Sequence, residues 1–405
     1  MTYAGEIRSV PTPDNITLLL GGRQYSTWQR YRIDSDFLKG ADAWQLQLGL
    51  PDQVFPVDAV RGAPVKVKVR DEVILTGRID SVRRDVSRKG LVLQLTGRDL
   101  AAILVDCAAP IFSARQLTLD EGIAAIARPL GITRIRIQAQ GMTRYDSIHL
   151  EPGERAWDAL IKLASGRGLW PWMDPDGVLV IGGPDYTAPP VATLVLSHEP
   201  GKSNVMSLSD TRSIQGCYSD LTVLAQSHAI PGSGGQVATV DVTAPLDGDV
   251  SVDDGPEMDD TSASGETGHY TRSHTEHDPT VPYYRPQIVV VGDIDNRQQL
   301  EYKARKAMAD ARLSSLDVTV QVSGHRTPGG ELWKPGQRIR VVSDPHGTDA
   351  VYFLMGRTFS GGLPDGQITQ LRLKEDGIWI PDAYPTQKRG KKHAKNETAV
   401  VPVWE

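Results

Sequence analysis

The sequence has little that would direct a protein into or across a membrane. It contains no run of about 18 apolar residues, the length that a membrane-spanning helix needs. Residues 1–10 carry Glu6 and Arg8 where a secretion signal needs an apolar core. We therefore expect a chain that is made in the cytoplasm and leaves it only as part of an assembly.

Cysteine is also scarce. The 405 residues include 2 cysteines, Cys107 and Cys217, which lie far apart in the sequence. Disulfide-stapled domains and structural zinc sites need several cysteines at short, repeated spacings, so this count indicates neither. We expect both residues to be buried free thiols, the ordinary state of cysteine in a globular core.

The familiar sequence signatures of catalysis are lacking too. Residues 200–203 resemble the end of a phosphate-binding loop, but Leu196 stands where that loop requires a glycine. His198 and Glu199 could open a zinc-protease pair, but Lys202 occupies the place of the second histidine. The sequence therefore predicts no catalytic residue, no bound cofactor and no enzyme activity.

One cluster of metal-ligating residue types remains, made of His269, His274, His277 and Asp278. His274 and His277 are three residues apart, a spacing that suits one metal ion if they lie on a helix or a tight turn. The neighbouring Thr, Ser, Gly and Pro residues are more typical of a polar loop whose histidines face water. We therefore predict no metal site and keep His274, His277 and Asp278 as weak candidates.

Negative charge is in excess and unevenly distributed. The formal net charge is −6, and residues 388–405 hold five basic residues against two glutamates, which leaves −9 for the rest of the chain. Residues 241–260 contain eight acidic residues with no Lys or Arg. A body this acidic is a poor candidate for a domain that grips nucleic acid.

Turn residues and short alternating strands are abundant. The 39 Gly and 27 Pro residues favour many short strands over a helical bundle. Residues 65–70 alternate valine with basic residues, the pattern of a half-buried strand. Thr118 and Glu121 fit a capping box at the start of a helix. Further helices are predicted over about 154–165 and 296–314.

These patterns predict an α+β, β-rich fold with two small antiparallel β-barrel domains plus an α+β intermediate domain. We place the first barrel at 1–100, the intermediate domain at 101–190 and the second barrel, with a helical element, at 191–382. Within the second barrel, residues of about 228–280 are predicted to form a loop insertion. Residues 383–405 are predicted to be a flexible basic tail.

Three groups of short motifs follow one another along most of residues 25–380. They comprise 75–80 with 95–100 and 102–107, then 157–160 with 174–181, then 304–309 with 332–337. In their order and spacing these motifs resemble the Mu-like baseplate hub proteins of contractile phage tails. That family is related to the hub domains of R-type pyocins and type VI secretion spikes. The Trp-Lys-Pro-Gly corner at 333–336 is the most specific of the motifs.

The resemblance implies a structural protein of the virion tail baseplate, assembled in the host cytoplasm. It implies a homotrimer in which two barrels from each subunit form a pseudo-sixfold ring between the tail tube and the central spike. The implied partners are a second and third copy of the chain, the spike, tail tube and distal tail proteins, the baseplate wedge and a tape-measure protein. DNA would transit the lumen without specific binding, a role that an acidic body would suit.

Two alternatives come from other functional classes. A tail-associated cell-wall hydrolase would need a recognisable catalytic segment, whereas the unmatched stretch 228–280 is short and polar. A receptor- or carbohydrate-binding tail module would expose clustered aromatic residues, and the densest clusters are Tyr283 with Tyr284 and Trp170 with Trp172. We expect the tryptophan pair to pack inside the fold, because large aromatic side chains are usually buried.

Overall fold

The computed structural model describes residues 14–49, 54–88, 90–110, 113–138, 145–150, 152–165, 169–183, 185–226, 270–291, 297–362 and 366–378. The N-terminal strands are β1 (Ile16–Leu20), β2 (Arg23–Tyr25), β3 (Trp28–Asp36), β4 (Ala43–Gly49), β5 (Pro64–Val69), β6 (Glu72–Ser87) and β7 (Gly90–Asp99). The middle of the chain forms α1 (Ala102–Asp106), β8 (Ser113–Leu117), α2 (Leu119–Ala127), β9 (Ile135–Ile137), β10 (Tyr145–His149), α3 (Ala156–Ser165), β11 (Trp170–Met173) and β12 (Leu179–Gly182).

The remaining elements complete the described chain. They are β13 (Ala192–Leu196), β14 (Ser207–Arg212), β15 (Asp220–Gln226), β16 (Tyr270–His277), β17 (Pro286–Val291), α4 (Arg297–Ser315), β18 (Leu316–Ser323), β19 (Arg338–Ser343), β20 (Thr348–Gly362) and β21 (Gly366–Glu375). Among these described residues, no helix combines the length and the apolar character needed to cross a membrane.

Strands from both ends of the chain form one 13-stranded sheet. Its order is β14-β18-β21-β20-β3-β4-β7-β6-β5-β1-β2, and β13 and β19 join it through β20. The N-terminal and C-terminal strands meet where β3 and β20 pair in antiparallel register, from Asp36 opposite Gly356 to Arg30 opposite Gly362. We call this strand pair the seam, because it makes the two halves of the sheet continuous.

The predicted fold class, α+β and β-rich, is confirmed, and the two halves share one sheet. No strand pairing among the described residues closes either half on itself. The two halves are joined through β20, a strand of 15 residues that is longer than each of its neighbours. Its first part pairs with β19 and its second part with β3, so one strand belongs to both halves.

The alternation of apolar and polar residues decides which face of each strand is buried. In β5, Val65, Val67 and Val69 are buried, and the two lysines between them point away from the core. The strand predicted from this pattern is therefore confirmed. The inner faces of the sheet enclose Trp44, Trp333 and the aliphatic residues around them in one core. Each such side chain contributes roughly 1.5–3 kcal/mol when fully buried.

The α+β unit between the two halves has its own core. Its helices α2 and α3 bury Ile123, Ile126 and Leu160 against the small sheet β11-β12-β9. The predicted capping box is confirmed, because the Thr118 side chain accepts from the third helical residue and Glu121 accepts the Thr118 backbone N–H at 2.9 Å. Helix α3 begins at Ala156, two residues later than predicted.

This cap supports a stability prediction. Replacing Thr118 with alanine leaves one N–H group at the start of α2 without its acceptor, so we expect the free energy of unfolding to fall by about 1 kcal/mol. Thr118→Ser keeps the hydroxyl and is the matched control. Urea denaturation followed by circular dichroism measures both variants, and equal midpoints for the two would contradict the role of the cap.

Helix α4 packs on a separate sheet with the order β16-β15-β17. Leu221 and Val223 of β15 meet Leu300 and Ala304 of the helix. The predicted helix is confirmed with a shift of one residue, but the predicted loop at 228–280 is wrong over 270–277, which form β16 beside β15. The rest of that loop through residue 269, including the acidic run and His269, lies outside the described residues, as does the basic tail.

Candidate functional site

The signature motifs of the N-terminal half place one glycine on each of the paired strands β6 and β7, Gly77 opposite Asp99 and Gly97 opposite Ile79. Thr76-Gly77-Arg78 on β6 pairs with the second such motif, Thr96-Gly97-Arg98, on β7. A Cβ atom on Gly77 would overlap the carbonyl oxygen of Arg98, and one on Gly97 would overlap that of Arg78. The register shifts of β6 lie on either side of Gly77, at Ile74 and Asp80. These glycines permit close backbone approach.

Charged residues of the same motifs form a bridge within the fold. The guanidinium of Arg98 contacts Asp80 at 2.6 Å and, through both terminal nitrogens, Asp106 at 2.9 and 2.6 Å. The bond to Arg98 lowers the pKa of the Asp106 carboxyl, and both carboxylates raise the pKa of Arg98. This bidentate pair joins β6 and β7 to α1, which explains the motif without any catalytic role.

The Trp-Lys-Pro-Gly corner also has a structural explanation. Trp333 is buried at the core, and Gly336 takes a φ of +94°, which only glycine adopts without strain. Its N–H donates to the carbonyl of Leu354 at 2.9 Å, and Gln337 donates through its side chain to the carbonyl of Leu332 at 3.1 Å. The corner therefore aligns the start of β19 with β20.

The weak metal candidates do not converge. Side chains three residues apart on a strand point to opposite faces, so β16 directs His274 and His277 to different sides. His274 bonds Glu276 at 3.0 Å, His277 contacts Asp220 at 2.5 Å, and Asp278 accepts from Thr280. The described residues contain no group of three or more His, Cys, Asp or Glu that could hold a metal ion.

Two further predicted positions are placed by the structure. Trp172 packs against Phe37 with 5.0 Å between ring centres, and Trp170 donates to the Phe37 carbonyl at 2.6 Å. Tyr283 and Tyr284, in contrast, are 51% and 69% exposed. The tyrosine pair therefore offers a surface, whereas the tryptophans join the α+β unit to the seam. Cys217 is buried as expected, and Cys107 is half-buried.

A charged group lies inside the fold beneath the seam. Arg357 is 5% exposed, donates to the Ile33 carbonyl at 3.1 Å and stacks over the Phe359 ring at 3.9 Å. Burial lowers the pKa of Arg357 to about 10 and raises the pKa of Asp42 to about 7. Burial also raises the pKa of Asp99 well above its ordinary value. The carboxyls of Asp42 and Asp34 both interact electrostatically with the Arg357 guanidinium, and Asp99 lies in the field of Asp42.

His325 is the second buried polar residue that the motifs did not reveal. Its imidazole is fully buried, bonds Tyr31 at 2.8 Å and Thr369 at 2.9 Å, and stacks on Phe359 at 4.4 Å. Burial lowers the pKa of His325 to about 4. Because Tyr31 belongs to β3 and His325 follows β18, this neutral histidine ties the two halves of the sheet together.

The face of the sheet that points away from the core is polar across eight strands, from β14 to β6. We call it the polar face. Its uncharged members, which share one side according to the strand registers, are Ser207, Ser209, Thr211, Thr319, Gln321, Ser323, Gln370, Thr358, Ser360, Gln45, Gln47, Gln94, Thr96 and Ser81. Glutamine, serine and threonine from both ends of the chain therefore form one hydrated surface.

Most charges on the polar face are neutralised locally. Arg372 contacts Asp36 and Asp317, Arg98 contacts Asp80 and Asp106, and Arg83 contacts Asp85. Arg30 and Arg32 of β3 are exposed, and their guanidinium groups make no ion pair or hydrogen bond among the described residues. They line a cleft of about 450 Å³ at the seam. The excess acidic charge of the chain is therefore not displayed on this face.

Comparisons with known proteins match four successive segments of the chain. Residues 15–99 match the family model of the Mu phage baseplate assembly protein GpP-like N-terminal domain, and 101–183 match the second domain of baseplate hub protein gp44-like sequences. Residues 261–308 match the third domain of NMB1110-like tail proteins, and 310–378 match a tail protein C-terminal domain.

Whole-chain relatives agree with these matches. The tail protein from Neisseria meningitidis MC58 is 36% identical, with a TM-score of 0.75 over 92% of this chain and 100% of that one. The 43 kDa tail protein of prophage MuSo2 from Shewanella oneidensis shares the fold at 19% identity, with a TM-score of 0.71 over 91% of this chain and 100% of that one. Baseplate hub protein gp44 of Escherichia phage Mu is 22% identical over 376 residues, 91% of this chain and 90% of its own. The chain therefore belongs to the Mu-like baseplate hub family of phage tail proteins.

Proposed function

We propose that the chain is the structural hub of a contractile-tail baseplate and forms a homotrimeric, pseudo-sixfold ring. The observation that carries this proposal is the continuity of the sheet across the seam. Because β3 and β20 hold the two halves side by side, each subunit supplies two wall segments that share one polar face. Three subunits then supply six segments, which would let a threefold assembly meet a sixfold tube.

The polar face is the surface that we assign to the lumen. Its glutamine, serine and threonine side chains bind water well and carry no net charge, so they would let a polyanion pass without strong retention. The acidic lumen that the sequence suggested is replaced in this proposal by a nearly neutral one. The proposed hub links the tail tube to a separate central spike and has no catalytic activity of its own.

The proposed location is the baseplate of the virion, reached by assembly in the host cytoplasm. The domain division at residues 100 and 190 remains part of the proposal, and the predicted tail from 383 lies outside the described residues. Distal tail, wedge and tape-measure proteins are the further partners that a hub in this position would contact.

The oligomeric state tests the proposal directly. We expect the purified chain to have a solution mass near three times its 44.2 kDa, measured by light scattering on a size-exclusion column. Negative-stain images of that species should show a ring with six lobes. A mass of one subunit at every concentration, both alone and after mixing with the cognate spike, would contradict the ring.

A further inference from the structure

We propose that Arg30 and Arg32 form a phosphate-contacting site on the polar face, which touches the backbone of nucleic acid in transit. This inference rests on the proposed function, because it assigns the polar face to the lumen. The charges on the polar face are not fully balanced. Among the described arginines of that face, these two have exposed guanidinium groups without a carboxylate or carbonyl partner.

The carboxylate nearest to them on the same strand face is already engaged. Asp34 lies two residues beyond Arg32, but its two oxygens accept from Lys39 Nζ at 2.8 Å and from the Ala43 N–H at 2.5 Å. Arg78 donates to the carbonyl of Gly62. The positive charge of Arg30 and Arg32 is therefore available to a ligand, and an anion is the ligand that it favours.

The surroundings of the arginine pair suit a phosphodiester. Gln47 and Gln45 lie opposite Arg30 and Arg32 on β4, and Ser360 lies opposite Arg32 on β20. Amide and hydroxyl groups bind phosphate and sugar oxygens without reading bases, and the planar guanidinium fork matches phosphate geometry. On one strand face, residues two apart are separated by about 6.8 Å, twice the 3.4 Å rise per phosphate along one strand of DNA.

Glycine keeps the floor of this cleft open. Gly361 and Gly362 lie on the β20 side of the cleft, and Gly362 takes a φ of +136°. A Cβ atom on Gly361 would overlap the Tyr31 hydroxyl, and one on Gly362 would overlap the Gln29 carbonyl. Gly362, opposite Arg30, therefore adds no side chain to the cleft, since a Cβ atom there would lie 3.0 Å from the Cγ atom of Arg30, and a backbone phosphate can approach the seam.

Two contacts per subunit would hold DNA weakly, as a conduit requires. Each neutralised phosphate contributes about −0.9 to the slope of log K against log salt, so a subunit that uses both arginines contributes about −2. Binding through one subunit should then weaken about tenfold between 50 and 200 mM salt. This sensitivity separates transient backbone contact from tight, sequence-specific binding.

The experiment measures binding of the full chain to a labelled mixed-sequence DNA duplex by fluorescence anisotropy at several salt concentrations. We expect R30Q/R32Q to lose affinity about tenfold at low salt and to reduce the salt slope by about 2 for each engaged subunit. The matched control is R23Q/R61Q, which removes the same charge from two exposed arginines away from the polar face. The basic residues near the C-terminus are present in every variant, so their contribution cancels.

Two outcomes would overturn the site: equal affinity of R30Q/R32Q and R23Q/R61Q, or no duplex binding by the unmodified chain at low salt. Inorganic phosphate added as a competitor distinguishes a site for free phosphate, since displacement of the duplex at equimolar phosphate would also contradict a backbone contact. The mass of every variant is measured alongside. An intact trimer that does not bind DNA would contradict the phosphate site and leave the proposed ring intact. A monomer that binds DNA would contradict the ring and leave the phosphate site intact.

Discussion

Replacing Gly97 with valine is expected to destabilise the N-terminal half strongly. The Cβ atom of any larger residue would overlap the carbonyl oxygen of Arg78 and the ring of buried Trp44. The backbone cannot shift here without a large cost in free energy, because β6 and β7 are hydrogen-bonded to each other both before and after Gly97. Overpacking a core costs 1–3 kcal/mol or more, and a clash with backbone belongs at the upper end or beyond, roughly 4 kcal/mol.

The neighbouring position supplies the control for this prediction. Thr96→Val introduces the same side chain one residue away, on the polar face, and should change the unfolding free energy by less than about 1 kcal/mol. Soluble yield and thermal unfolding of the two variants, measured together, test this difference in stability. A Gly97→Val protein that melts like the Thr96→Val protein would show that the strands separate easily. The motif glycines would then need another explanation.

The contrast between these two positions shows what a sequence motif can reveal. The paired Thr-Gly-Arg motifs were recognisable as a family resemblance, and the structure gives their physical cause: Gly77 lies against the carbonyl of Arg98, and Gly97 lies against the carbonyl of Arg78. Local signals were predictable for the same reason: the capping box at Thr118 and the alternation in β5 depend on neighbours within a few residues. Such signals need no knowledge of distant partners.

The seam and the polar face could not be predicted in this way. Arg30 and Arg32 lie two residues apart on β3, and their lack of side-chain partners depends on how Lys39 and Ala43 occupy Asp34. The pairing of β3 with β20 joins opposite ends of the chain, and no local pattern specifies it. The spacing of His274 and His277 would suit one metal ion on a helix, but the sequence does not reveal that both residues lie on a strand, where they point to opposite faces.

The second large effect is expected at the buried arginine. Arg357→Met keeps the length and most of the volume of the side chain but removes its charge, so it separates electrostatics from packing. Removing one member of a buried charged group leaves the others uncompensated, and we expect a loss of about 3–5 kcal/mol at alkaline pH. The Ile33 carbonyl, which accepts from Arg357, also loses its side-chain donor. Chemical denaturation measures the loss.

The dependence of this loss on pH follows from the carboxyls beside Arg357. Burial raises the pKa of Asp42 to about 7, so the folded state holds this proton more tightly than the unfolded chain does. The stability gained from neutral Asp42 is complete at acid pH and is lost as the pH rises through about 7. The charge of Arg357 opposes that loss by lowering the pKa of Asp42. Without it, ionisation of Asp42 becomes more costly.

We therefore expect the cost of Arg357→Met to grow by about 1–3 kcal/mol between pH 6.5 and pH 9. This range avoids most of the titration of His325, whose lowered pKa makes the protein less stable as the pH falls below about 6.5. Arg23→Met, at an exposed arginine, should show no such growth. Asp99→Asn mimics the protonated carboxyl that burial favours, so it should cost less than about 1 kcal/mol near neutral pH. A cost of Arg357→Met that is the same at both pH values would mean that packing alone explains the buried arginine. Growth with pH would instead show that its charge holds the two halves of the sheet together by balancing Asp42.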